Sequence, residues 1–207
     1  MTGALFPRYA VIDDFLGDEA ADGIRDYALS LENAFQPMEI REDRSGGYPA
    51  GRSLSVYDGG LGPLGPTFEA AVAGRFTELC AAAMVPPFDL DRIELQLCAF
   101  QDGDHFELHI DTVRHEARKG LESDRILTGV YYLSSGADRF SGGELAIHPF
   151  RRGPPPERIA PRRNRLVVFP SFAMHEVLPV FGPKDFRDAR LSINCWLHRR
   201  RGATGTQ

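Results

Sequence analysis

The sequence predicts a mainly β domain, an all-β barrel or double-sheet sandwich, with helices near the N-terminus bracing one outer face. Three observations predict it. Beyond Pro87 the apolar pattern changes from helical spacing to short runs bounded by turn residues. Those runs give about eight strands, over 92–100, 105–111, 125–133, 144–148, 157–160, 165–169, 173–179 and 190–198. Before Pro87, two stretches carry apolar residues at helical spacing instead.

Taken in order, Tyr9-Ala10-Val11-Ile12 reads as a short strand ended by Asp13-Asp14. From Asp18 to about Asn33, Ile24, Tyr27, Ala28 and Leu31 form the apolar stripe of an amphipathic helix. Residues 36–66 are rich in Gly, Pro and charge, which predicts a long loop with one weak hairpin. Pro66-Thr67 opens a second helix to about Met84, with Phe68, Val72, Phe76, Leu79 and Ala83 on one stripe, and Pro86-Pro87 stops it. At 207 residues the chain fits one domain: 1–87 as helical support with a lid loop, 88–198 as the core, and 199–207 as a tail.

Bulk properties narrow the function. A formal net charge of -5 gives no reason to expect nucleic-acid binding, and the arginines at 151–152, 162–165 and 199–201 read as solvated loops and tail. Cys80, Cys98 and Cys195 are odd in number and scattered, so they read as buried small hydrophobes rather than disulfides or zinc ligands. No signal peptide opens the chain and no run is long enough to span a membrane, so a cytoplasmic protein is expected.

The chemistry concentrates in Asp104-His105-Phe106-Glu107-Leu108-His109-Ile110-Asp111. On a regular strand His105, Glu107, His109 and Asp111 share one face, with Leu108 and Ile110 toward the opposite layer. His109 and Asp111 can then offer an imidazole and a carboxylate to one ion. Of the six histidines, His175, just after the apolar run Leu166–Phe169, is the best third ligand. Two histidines and one carboxylate suit iron(II) with three positions left open; the ligand set favours iron and leaves zinc open. Fifteen residues on, Arg190 leads the strand Arg190-Leu191-Ser192-Ile193-Asn194-Cys195-Trp196. A buried guanidinium there calls for a carboxylate, which it can bind through two parallel hydrogen bonds.

These residues belong to an ordered series. His109-Ile-Asp111 is followed by Gly129-Val-Tyr131-Tyr132-Leu133, Phe140-Ser-Gly-Gly-Glu-Leu145, Asn164-Arg-Leu-Val-Val-Phe169, His175-Glu-Val and Arg190-Leu-Ser-Ile. Over roughly residues 90–198 the chain thereby resembles the prolyl-4-hydroxylase-type 2-oxoglutarate/iron(II) dioxygenases, and Val11-Ile-Asp-Asp-Phe-Leu16 resembles the start of that family's domain. The resemblance implies a double-stranded β-helix (a jelly-roll) with iron(II) held by His109, Asp111 and His175. It further implies that Arg190 grips the distal carboxylate of 2-oxoglutarate, that Tyr132 adds its hydroxyl, and that Tyr131 faces away into packing. Two departures stand out. Phe100 occupies the place of a tyrosine ahead of the first histidine, and an apparent insertion at Phe181–Phe186 makes Arg187 a rival anchor. Arg190 is preferred because it leads directly into the apolar strand.

Smaller expectations complete the reading. Gly142-Gly143 should make a tight turn with close backbone approach. His105 and Glu107 could line the substrate side or sit behind the ligands. His115 should lie in a loop beside the mouth, His148 and His198 are structural or solvated, and Trp196 is core packing. The loops 36–66 and 112–124, with Arg41, Arg44 and Arg52 in the first, are candidate lids. The implied activity is hydroxylation of an unactivated C–H bond, driven by dioxygen and decarboxylation of 2-oxoglutarate, with ascorbate as an optional reductant. A prolyl residue in a protein or peptide is the favoured substrate. A free amino acid or small metabolite remains the alternative, as does a non-catalytic sensor of metal or 2-oxoglutarate.

Overall fold

The computed structural model describes residues 6–38, 52–112, 121–134, 139–151 and 153–201. In chain order the strands are β1 (Ala10–Ile12), β2 (Gln36–Pro37), β3 (Arg52–Ser53), β4 (Ser55–Tyr57), β5 (Leu90–Phe100), β6 (His105–His109) and β7 (Ser123–Tyr132). They continue as β8 (Ser141–Gly142), β9 (Leu145–Ile147), β10 (Glu157–Ile159), β11 (Leu166–Pro170), β12 (His175–Val177), β13 (Val180–Phe181) and β14 (Arg190–Arg200). The helices are α1 (Asp18–Ser30), α2 (Gly65–Gly74) and α3 (Phe76–Ala82). None is long and apolar enough to cross a membrane. Among the described residues a large sheet runs β1-β11-β7-β14-β5-β4-β2 and a smaller one β10-β9-β12-β6-β3, with a short β13-β8 pair beside them. The two sheets are the walls of a jelly-roll, as expected.

Strand β14 lies between β5 and β7 in the middle of the large sheet, and side-chain alternation gives it two jobs. Leu191, Ile193, Cys195 and Leu197 pack with Ile24 and Ala28 of α1, Phe68 and Val72 of α2, and Leu79 and Cys80 of α3. Each fully buried Leu, Ile or Phe in that layer contributes roughly 1.5–3 kcal/mol. The opposite face of the sheet meets the small sheet, where Val130, Tyr132, Val167 and Phe169 pack against Leu145, Ile147, Ile159 and Ala173.

The expected second helix is interrupted: α2 ends at Gly74, and Arg75 (φ -108, ψ 9) caps both α2 and α3. Glycine is a weak helix former, and the guanidinium of Arg75 turns back to Glu78. Of the expected loop over 36–66, the described residues 36–38 and 52–66 are more ordered than their composition suggests, because Leu54 and Val56 bury against Cys98 and Phe100. β4 and β2 thereby extend the large sheet while β3 crosses to β6. Arg41 and Arg44 lie outside the described residues, as does His115 with most of the second candidate lid; only the backbone of Arg52 is described.

Two of the three basic clusters hold ion pairs rather than being merely solvated. Arg162 and Arg165 bind Asp13, and Arg163 binds Asp18 and Asp22, tying the N-terminal segment to the turn before β11. Arg200 and Arg201 bind Asp91 and Asp124. Such exposed pairs individually contribute little. Asn164 contributes more. Buried and left-handed (φ 62), it accepts from the Leu16 amide (2.9 Å) and the Tyr131 hydroxyl (2.8 Å) and donates to the Leu16 carbonyl (2.8 Å). Asn164→Ala should strand those groups, at about 1–3 kcal/mol each, and lower the denaturation midpoint well beyond a surface substitution. A midpoint within experimental error of wild type would refute this.

Across β5, β7 and β14, Arg125 forks onto Glu94 (2.5 and 3.2 Å), which also faces His198 Nε2 (2.7 Å). Burial would raise the Glu94 carboxyl, but His198 and Arg125 outweigh it and bring it from 4.5 to about 2. A depressed folded-state value means the stabilisation is fully present above about pH 4.5 and disappears as pH falls toward about 2. Acid denaturation of Glu94→Gln should therefore show a shallower loss of stability over that window than wild type; parallel curves would contradict the pairing.

Candidate metal centre and co-substrate pocket

His109 ends β6 and His175 opens β12, and the two are paired across the small sheet. In each, the ring Nδ1 donates to the carbonyl two residues back, Glu107 (2.8 Å) for His109 and Ala173 (2.9 Å) for His175. That leaves both Nε2 atoms facing Asp111, each 3.6 Å from a carboxylate oxygen. The three ligand atoms lie within 4.8 Å of one another. Phe106 stacks on His109 at 3.7 Å, and Phe169 meets the edge of His175 at 4.7 Å. Burial and the neighbouring His109 lower His175 to about 4, so it stands neutral and able to donate a lone pair.

Asp111 lies beyond the end of β6, where its amide and that of Thr112 donate to the Ser171 carbonyl. Its Oδ2 accepts from Thr128 Oγ1 (2.7 Å) and Trp196 Nε1 (3.0 Å). Burial alone would raise this carboxyl, but the imidazoles of His175 and His109 and the indole N–H hold it well below the carboxylate range. Trp196 is therefore not simply core packing. It points inward because it shares parity with Arg190, and its ring lies under the Arg125 guanidinium at 3.7 Å. Sequence reasoning missed Trp196 and Thr128 as partners of Asp111; the even spacing from Arg190 to Trp196 was the available signal.

The expected single face from His105 to Asp111 is corrected by a bulge. His175 pairs with His109 but Val177 with Phe106, so β6 carries one extra residue between them. Phe106 consequently joins His109 on the inner side, while Glu107 is exposed and serves through its carbonyl. His105 bonds the Gly103 carbonyl and is not part of the triad. His148 pairs with Glu176, and His198 is buried between Ser123 and Glu94, so both are structural.

Arg190, the largest fully buried side chain, opens β14. Its Nε donates to the Gly143 carbonyl (2.7 Å) and its Nη1 to Ser192 Oγ (3.3 Å), but Nη2 has no hydrogen-bond partner among the described residues. The guanidinium lies between the rings of Phe100 (4.7 Å) and Tyr132 (5.0 Å), and the Tyr132 hydroxyl likewise has no hydrogen-bond partner among the described residues. Gly143 (φ +69) permits this approach, since a Cβ there would sit 2.6 Å from Arg190 Cδ. Gly142 (φ +74) turns against the Pro179 carbonyl, as the glycine pair led one to expect. The rival Arg187 is exposed in a short turn. Tyr131 faces the helices, against Phe15 and Phe68. A buried guanidinium with no carboxylate among the described residues is expensive unless an anion completes it, and its own unpartnered Nη2 together with the Tyr132 hydroxyl beside it fits one end of a dicarboxylic acid.

Comparison with known proteins agrees with this geometry. Residues 95–198 match the family model described as the 2OG-Fe(II) oxygenase superfamily. An uncharacterized PKHD-type hydroxylase of Synechocystis is 27% identical over 157 residues, covering 72% of this chain and 50% of its own length, so the chain spans about half of that relative. Among solved structures, a Pseudomonas putida prolyl-4-hydroxylase shares the fold at TM-score 0.66 and 21% identity, over 93% of both chains. A Trichoplax adhaerens prolyl hydroxylase, solved with a hypoxia inducible factor peptide fragment, shares it at 0.64 and 19%, over 92% of this chain and 83% of its own. A viral collagen prolyl hydroxylase from Paramecium Bursaria Chlorella virus-1, in its 2OG complex, does so at 0.61 and 16%, over 93% and 96%. With half of its length matched by the family model and these two sites side by side, the chain belongs to the 2OG-Fe(II) oxygenase superfamily.

Proposed function

We propose that this chain is a 2-oxoglutarate- and O2-dependent iron(II) dioxygenase that hydroxylates an unactivated C–H bond, with a prolyl residue of a protein or peptide as substrate. The observation that carries the reading is the inner wall shared by the His109, Asp111 and His175 triad and the uncompensated guanidinium of Arg190. His109 and His175 would bind the metal through Nε2 and Asp111 through its carboxylate. Arg190 and Tyr132 would hold the distal carboxylate of 2-oxoglutarate. When bound, the iron couples oxidative decarboxylation of 2-oxoglutarate to hydroxylation of the substrate. The prolyl substrate is supported by what the similar solved structures are described as acting on.

The protein's own residues prepare that chemistry. The Glu107 and Ala173 carbonyls fix the imidazole tautomers that direct Nε2 inward. Thr128 and Trp196 hold the Asp111 carboxylate in one orientation. Phe100 and Tyr132 exclude water from the faces of the Arg190 guanidinium, which strengthens its hold on a carboxylate. Phe100 also means that no phenol hydroxyl is offered from that position of β5, so the grip on the acid falls to Arg190 and Tyr132.

Anaerobic addition of iron(II) and 2-oxoglutarate should produce a visible charge-transfer absorption that His175→Ala and His109→Ala both abolish; its survival in either variant would overturn the ligand assignment. Arg190→Leu should raise the 2-oxoglutarate concentration needed by about 100-fold or more, the effect of removing one partner of a buried charge pair. Trp196→Phe should weaken Mn(II) binding, read by electron paramagnetic resonance, by about 10–100-fold. In wild type the emission of this single tryptophan should change on metal addition.

A further inference from the structure

Two phenylalanines outside the interior are used neither by the metal centre nor by the co-substrate pocket. Phe172 lies in the turn between β11 and β12, whose Ser171 carbonyl accepts the Asp111 and Thr112 amides and whose Ala173 carbonyl accepts from His175 Nδ1. The His148 amide donates to the Met174 carbonyl (2.9 Å), which ties the end of β9 to the same turn, and Phe150 follows two residues later. Both residues therefore stand on the rim, at the end of the barrel where the metal ligands gather. Three Cα steps separate Phe172 from His175, so the two Cα atoms lie at most about 11 Å apart. Each phenylalanine is 54% exposed, which places the pair outside the buried cavity.

A single exposed phenylalanine needs no special account. These two come from separate connections and meet, with ring centroids 6.3 Å apart and planes at 24°. A contact left this open to solvent contributes little to folding, and adjoining exposed rings mark a surface that binds something. Exposed aromatic rings suit prolyl rings, which arrive in the extended polyproline conformation with little entropy left to lose. Charge narrows the choice. Arg151 follows Phe150, is exposed, and has no hydrogen bond or ion pair among the described residues, unlike the paired arginines at 162–165 and 200–201. Glu176, the carboxylate of the adjoining β12, is already engaged by His148 (2.8 Å). An acidic residue beside the prolyl ring would complete Arg151.

We propose that Phe150, Phe172 and Arg151 form a docking surface on the rim that holds a flanking segment of a polypeptide substrate, a prolyl ring with an acidic neighbour. An extended peptide rises about 3.3 Å per residue, so the docked ring lies about three residues from the one that is hydroxylated. The proposal rests on the oxygenase reading above and adds a second point of contact outside its cavity.

The test uses the full chain loaded with Mn(II) and 2-oxoglutarate, with peptide affinity read by calorimetry. The probe is acetyl-Glu-Pro-Ala-Ala-Pro-Ala-Ala-Pro-Glu-amide, which offers a ring and an acid on either side of a central proline. Its controls replace the two outer prolines by alanine, or the two glutamates by lysine. Wild type should prefer the probe over the alanine control by about ten-fold, the effect of stacking on two rings. Replacing both rings, Phe150→Ser with Phe172→Ser, should bring that preference down to about three-fold, the share that the number of prolines alone supplies. Arg151→Glu should reverse the preference for glutamate over lysine. Succinate formation without substrate should be the same in these variants as in wild type. A wild-type preference of about three-fold or less, or no binding of the probe, overturns the proposal even if the variants fold poorly. So does a dimer, seen by sedimentation, that the serine substitutions dissociate, because the rings would then join two copies of the chain. Succinate formation by wild type with iron(II) and no substrate separates the two readings. If it occurs and the ring preference is absent, only the docking surface fails; if it does not occur, the oxygenase reading falls and this inference with it.

Discussion

The period-two alternation of β14 is the constraint on which the rest of the structure depends. One set of side chains closes the helical layer and the other builds the interior, so a shift of one residue would exchange Leu191, Ile193, Cys195 and Leu197 for Arg190, Ser192, Asn194 and Trp196. Two flanking strands hold the register over its full length, with Phe100 opposite Arg190 and Thr128 opposite Trp196. Stability and chemistry are in this sense properties of the same hydrogen-bonded ladder.

Electrostatics then divide the interior. At one end a guanidinium is desolvated between two aromatic rings and given fewer hydrogen bonds than it has donors. At the other a carboxylate accepts from Thr128 and Trp196 and sits against two imidazoles, of which His175 is held neutral by burial. The first arrangement suits an anion and the second a divalent cation, and a 2-oxo acid offers both an anionic end and a chelating end. Neither half can be satisfied by the described residues of this chain alone.

Much of this was legible in the sequence. The strand runs after Pro87, the HxD pair, His175 and the arginine leading an apolar strand are short-range patterns whose physical meaning survives without coordinates. Between Arg187 and Arg190 the same reasoning favoured the latter, and the structure buries Arg190 and leaves Arg187 exposed. What alternation misjudged was β6, because a bulge is set by the pairing partner and leaves no mark in the strand's own apolar pattern. Trp196 was read as core because large aromatics ordinarily are; its N–H donor to Asp111 depends on a residue 85 positions away. The arginines at 162–165 looked solvated for the same reason, their carboxylates lying near the start of the chain.

Asn164 links two layers that might otherwise be treated as separable. Its side chain fastens Leu16 and Tyr131, while its main-chain amide donates to the carbonyl of Tyr132, the residue whose hydroxyl lies beside Arg190. The helical layer and the Arg190 end of the barrel are thus joined through this buried residue as well as through β14, and should open together as one cooperative unit. Trimming the protein back to its barrel would accordingly loosen the surroundings of Tyr132 and Arg190.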